Sequence, residues 1–196
     1  SIPYEIERYS SSSGQFIGWI NVTTLSATQD TSIYMYYGGA AAGGATNQNK
    51  TGTWNSNYKG VWHLPNATVL GFKDSTGVNN GTNSGARVAT GHIDGAANFD
   101  GVNDSINAGT DNSLNITGTS ITLSVWVKSD AAGDQGIFDR LNGATSGYFF
   151  KQYPSNEIDL GFGVDHSSSG YALPRNIWTY VVATYDGTLI RFYKNG

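Results

Sequence analysis

Ile121-Thr-Leu-Ser-Val-Trp-Val127 decides the fold class. Ile121, Leu123, Val125 and Val127 fall on one side of an extended chain, and Thr122, Ser124 and Trp126 fall on the other. Trp126 makes that second side only partly polar, which implies a covering layer. Downstream, Tyr185-Asp-Gly-Thr-Leu189 sets Asp-Gly between two strand patterns, a strong hairpin signal. The same texture runs outward through the chain. Strand candidates are Tyr4–Tyr9, Phe16–Thr23, Ser32–Tyr37, Lys59–Leu64, Ala96–Phe99 and Ser105–Ala108, then Ile121–Lys128, Gly136–Leu141, Gly147–Tyr153, Glu157–Val164, Trp178–Tyr185 and Leu189–Tyr193. Turn residues separate them at short spacing, the pattern of an all-β sandwich or barrel. No stretch longer than a turn or two carries a helical period.

Composition agrees. Only three Glu occur in 196 residues, whereas Ser, Thr and Asn number 20, 19 and 18, a balance that starves helices and feeds strands and turns. The length suits one to one and a half domains with a core large enough to dispense with disulfides, and no Cys is present. Charged residues are 13% and aromatics 13%, the reverse of a disordered chain. A net charge of −4 leaves no basic stripe, which excludes nucleic acid as a partner. Apolar runs are of strand length, so no membrane span fits. Residues 38–57, rich in Gly, Ala and Asn, read as a linker between a β-rich segment at 1–37 and a main domain at 58–196.

Gly91-His-Ile-Asp-Gly-Ala-Ala-Asn-Phe-Asp-Gly-Val-Asn-Asp104 resembles the signature of laminin-G-like domains of the concanavalin A-like lectin/glucanase superfamily. Asn176-Ile-Trp-Thr-Tyr-Val-Val-Ala-Thr-Tyr-Asp-Gly187, continuing to Tyr193-Lys-Asn-Gly196, is similar to that family's Trp…Tyr-Asp-Gly…Tyr-x-Asn-Gly hairpin. The resemblance implies a jelly-roll, two-sheet antiparallel sandwich from about residue 58, with Trp126, Trp178, Val125, Val181, Phe99 and Leu123 in its core. Ile2-Pro-Tyr-Glu-Ile-Glu7, Trp19-Ile-Asn-Val22, Thr31–Gly38 and Tyr58–Leu64 resemble an uncharacterised secreted β-domain that commonly precedes laminin-G-like domains in prokaryotic surface proteins. Both resemblances are partial. They imply a fragment, or a subunit that takes its remaining strands from elsewhere.

The superfamily includes retaining glucanases, whose catalytic strand carries Glu-x-Asp-x-Glu or Glu-x-Asp-x-x-Glu. Alternate strand residues share a face, which aims both acids at one sugar about 5–5.5 Å apart. Asn156-Glu-Ile-Asp-Leu-Gly-Phe162 supplies Glu157 and Asp159, but Gly161 and Phe162 stand where the second Glu belongs. His63, His92 and His166 have no local Ser or Asp motif. The chain therefore reads as non-catalytic.

Calcium is the cofactor to consider. Asp74, Asn79, Asp100 and Asp104 lie in Gly-rich loops that could furnish its oxygens, and the resemblance places a rim site on Asp74 and Asp100. The alternative is that these side chains cap their own turns. For carbohydrate, Tyr153, His166 and Tyr171 flank loops and combine aromatic faces with polar tips. Six Asn-x-Ser/Thr sequons, at Asn21, Asn49, Asn66, Asn80, Asn103 and Asn115, are candidate glycosylation sites and fit an extracellular or cell-surface protein. Two functions follow. One is an adhesion or binding module for a glycan or surface protein. The other is a structural subunit that shares strands with copies of itself in a filament or surface layer.

Overall fold

The computed structural model describes residues 1–38, 47–65, 69–130, 133–142 and 146–196. These form two compact units, Ser1–Thr110 and Asp111–Gly196. The sequence boundary at 57/58 differs from this division, because residues 58–110 fold with the N-terminal strands. Within the 38–57 stretch, Lys50–Thr53 forms a one-turn helix.

In the first unit, β1 (Tyr4–Tyr9) and β2 (Phe16–Ile20) pair antiparallel. The turn between them uses Gly14 at φ +70°, a backbone that L side chains rarely adopt. Helix α1 (Lys50–Thr53) is capped by Asn49, whose side chain accepts the Gly52 N–H. Two further ribbons follow, β3 (Thr82–Ser84) with β6 (Ser105–Asn107), and β4 (Arg87–Thr90) with β5 (Gly95–Asn98). Leu70, Phe72 and Ala86 are buried there, with Leu64, Val88, Ala97 and Ile106 packed around them.

The second unit is a sandwich of two antiparallel sheets. Four strands lie in the order β11 (Asp165–Ala172), β10 (Glu157–Phe162), β9 (Gly147–Gln152) and β8 (Gln135–Leu141). Three lie in the order β13 (Ile190–Lys194), β12 (Thr179–Tyr185) and β7 (Ile121–Val127). The core is filled from both faces. Phe150, Ile158 and Leu160 come from the first sheet, and Val181, Ala183 and Tyr185 from the second, all in one buried cluster with Leu173. The all-β, jelly-roll class is borne out, and the hairpin at Asp186-Gly187 joins β12 to β13 with Gly187 at φ +95°.

Several expectations need correction. Ser32–Tyr37 forms no strand, and Lys59–Leu64 contributes a single bridge, Trp62 to Asp74. Conversely β3, β4 and β11 were not expected. Phe99 is 46% exposed rather than in the core. Trp126 alternates onto the outer face of β7, where it meets Tyr180, and Trp178 is only partly buried. Val181 is fully buried, with Leu123 and Val125 packed against the same cluster. No helix among the described residues is long and apolar enough to cross a membrane.

Candidate functional site

On β10 the core takes Ile158, Leu160 and Phe162, so Glu157, Asp159 and Gly161 face outward. On β9 the same alternation turns Phe149 and Lys151 outward while Tyr148, Phe150 and Gln152 are buried. The register then sets Lys151 opposite Asp159, Phe149 opposite Gly161, and Gly161 opposite His166 of β11. Lys151 Nζ lies 4.3 Å from the centre of the Tyr153 ring and 4.9 Å from that of Phe149. Glu157 accepts the Ser168 hydroxyl at 2.5 Å.

Asp159 sits at the middle of this group. It is 1% exposed, and no donor reaches its Oδ1. Burial pushes its carboxyl up, while the Tyr153 hydroxyl, His166 and Lys151 act in the opposite direction. His166 also borders a shallow cleft of about 200 Å³ that is shared with Asp165, Ser167, Tyr185 and Thr188. There the Tyr185 hydroxyl donates to Asp165 at 2.6 Å. Two of the three expected sugar contacts, Tyr153 and His166, are thus brought together around Asp159. Tyr171 is not. Its place in β11 turns it to the inner face, where it packs against the core.

The arrangement bears on hydrolysis. The Phe149 ring lies across Gly161, and a Cβ built there would stand 2.1 Å from a ring carbon. A Glu at this place would complete the Glu-x-Asp-x-Glu pattern, but only after Phe149 had been expelled. Gly161→Glu is expected to destabilise the sandwich by about 1–3 kcal/mol through that displacement, read as a lower midpoint in urea.

The loop carboxylates are spent on their own turns. Asp74 Oδ1 accepts the N–H groups of Val61 and Thr76 at 2.8 and 2.9 Å, and Oδ2 accepts the Asn79 N–H at 2.9 Å and the Thr76 hydroxyl. Burial alone would raise Asp74, but these bonds outweigh it and hold the carboxyl low. The Asn79 side-chain amide donates to the Lys59 carbonyl. Asp100 accepts from Val102 N at 2.8 Å and Asn103 N at 3.4 Å, and Asp104 accepts from Asp100 N at 2.9 Å. Among the described residues no group of three or more His, Cys, Asp or Glu side chains could hold a metal ion. A calcium ion at Asp74 would have to displace four donors.

Of the sequons, Asn49, Asn80, Asn103 and Asn115 are exposed, and Asn21 is partly buried with its amide donating to the Gly52 carbonyl. Asn66 lies outside the described residues.

Sequence reasoning missed a second constellation, in the first unit. Glu5 is 1% exposed, yet it collects four donors from three separate segments. Lys50 Nζ and the Ser75 hydroxyl reach Oε1 at 2.8 and 2.7 Å, while Trp54 Nε1 and His63 Nε2 reach Oε2 at 2.5 and 3.2 Å. Two residues on, and so on the same face of β1, Glu7 accepts from Trp19 Nε1 at 2.7 Å and lies 3.4 Å from His63 Nδ1. Burial raises Glu5, but its bonds to His63, Lys50, Trp54 and Ser75 prevail and hold it well below the carboxylate range. For Glu7 burial prevails over Trp19 and His63, and its pKa is raised.

A laminin-G family model, described as the Concanavalin A-like lectin/glucanases superfamily, matches residues 99–196, half of the chain. The chain belongs to this family. The match covers every strand of the sandwich, and the upstream residues lie outside it. Members of the family are often carbohydrate- or protein-binding modules, generally without catalysis and typically extracellular, although the superfamily also contains glycosidases. No curated protein and no solved structure matches the chain.

Proposed function

We propose that this laminin-G-like chain is a non-catalytic, extracellular module that binds glycans on the outer face of its four-stranded sheet. The supporting observation is the outer-face group of Tyr153, Lys151 and His166, which the β9–β10–β11 register gathers around the buried Asp159. An ammonium donor, an imidazole and an aromatic face within one patch match the hydroxyls and C–H faces of a sugar. Tyr153→Ala and His166→Ala are each expected to weaken glycan binding at least tenfold while leaving the fold intact. Calorimetric titration with the best hit of a glycan array measures this. Wild-type protein that binds no arrayed glycan, or variants that bind as wild type does, would contradict it.

A second reading keeps the strand-sharing subunit. Tyr34, Met35, Tyr36 and Tyr37 are a β-prone run, 60–90% exposed, that forms no strand. If the run pairs with a sheet edge of another copy, the sedimentation coefficient rises with concentration, and Tyr36→Lys abolishes the rise. A concentration-independent monomer sinks this alternative.

A further inference from the structure

The Glu5–Glu7–His63 group is absorbed neither by the family nor by the sandwich face. It lies behind a pocket of about 380 Å³ in the first unit, within the size range of small-molecule sites, roughly 300–1,000 Å³. Trp19, Trp54 and Tyr58 line it together with Val22, Asn21 and Asn55. Trp54 stands 5.4 Å from Trp19 at 53° and 5.1 Å from Tyr58 at 74°, so the three rings make adjoining, angled walls. The two indoles cannot swing. Each N–H is bound to a buried carboxylate, and Trp19 is stacked on His63 at 5.3 Å. Such rigidity is what a stacking platform requires, since ordering loose rings would subtract from affinity.

We infer that this pocket is a second carbohydrate site, one that takes a neutral saccharide by stacking its C–H face on Trp54 and Tyr58. Three observations select that class. The lining carries no charged side chain, which disfavours anionic or cationic ligands. Two amides stand at its wall, and because Asn21 Nδ2 donates to the Gly52 carbonyl and Asn55 Oδ1 accepts the Asn57 N–H, it is Asn21 Oδ1 and Asn55 Nδ2 that would meet sugar hydroxyls. Each indole also gives its hydrogen to a carboxylate on the side away from the pocket, which enriches the ring for C–H contact. Tyr58 remains 50% exposed, an aromatic edge open to solvent. This site is independent of the sandwich face, so either can fail alone.

The test uses the whole chain, titrated with cellotetraose and laminaritetraose and followed by tryptophan fluorescence and calorimetry. Tyr58→Ala and Asn55→Lys, both at exposed positions, are expected to weaken one of these titrations at least tenfold with unchanged circular dichroism. Tyr153→Ala on the sandwich face is expected to leave that titration in place. Tetramethylammonium serves as the cationic control. Saccharide binding that ignores both pocket variants, or no binding at all, overturns the inference. So does tetramethylammonium binding where the saccharides are inert, because that would make the pocket a cation cage.

Discussion

Glu5→Ala is expected to destabilise the Ser1–Thr110 unit by about 3–5 kcal/mol, the cost of breaking a buried charged network from one side. Lys50 is half exposed and contributes little of this. The larger part comes from the Trp54 N–H, the Ser75 hydroxyl and the His63 ring, which lose their acceptor while still partly or wholly shielded from water. Three segments, around α1, His63 and Ser75, then lose their common anchor on β1. Hydrogen exchange localises the effect. Protection in β1 and α1 falls with the variant, while β12 keeps its own. The same carboxylate sets a pH dependence. Its pKa is depressed in the folded state, so its stabilisation is complete above the unfolded value near 4.5 and drains away as pH falls through the lower folded value. Glu7 is raised and acts with the opposite sign, losing stability as pH rises past the unfolded value. Glu5→Gln is expected to flatten the acid limb of the curve. Unchanged acid sensitivity in that variant would show that Glu5 is not its source.

Phe150→Ala is expected to cost the sandwich about 3–5 kcal/mol. Phe150 is fully buried on β9, at the point where the inner faces of both sheets meet, among Ile158, Leu160, Val181 and Ala183. Removing the ring leaves a cavity that neighbours already packed on two strand ladders cannot close. Equilibrium unfolding in urea measures the loss, read as a lower midpoint with the slope preserved. A cost below about 1 kcal/mol would mean that the two sheets are not held together through this cluster.

Sequence disclosed the sandwich where local pattern and tertiary environment agreed. The alternation of Ile121–Val127 and the Asp186-Gly187 turn are local facts, and both strands and the hairpin form as read. Strand β11 was illegible because Ser167-Ser-Ser-Gly170 has the composition of a loop, and pairing with β10 overrides it. Ser32–Tyr37 shows the converse, β propensity without a partner strand. The sugar contacts were half legible. Tyr153 and His166 flank loop sequence, but what unites them is the β9–β10–β11 register around Asp159, which no short window contains. Tyr171 was lost to the alternation of an unforeseen strand. The Glu5 network left one trace, two of the chain's three Glu at alternate positions of one strand, Tyr4-Glu-Ile-Glu-Arg-Tyr9. Its partners at 50, 54, 63 and 75 share no spacing that would have flagged them.

The claim at the centre of this account is that the chain holds sugar without cutting it. Calorimetric titration with the glycan that binds best, followed by reducing-end analysis of the same sample, tests both halves at once. Saturable binding with no new reducing ends is the predicted result. Release of reducing ends that disappears with Glu157→Gln would contradict it.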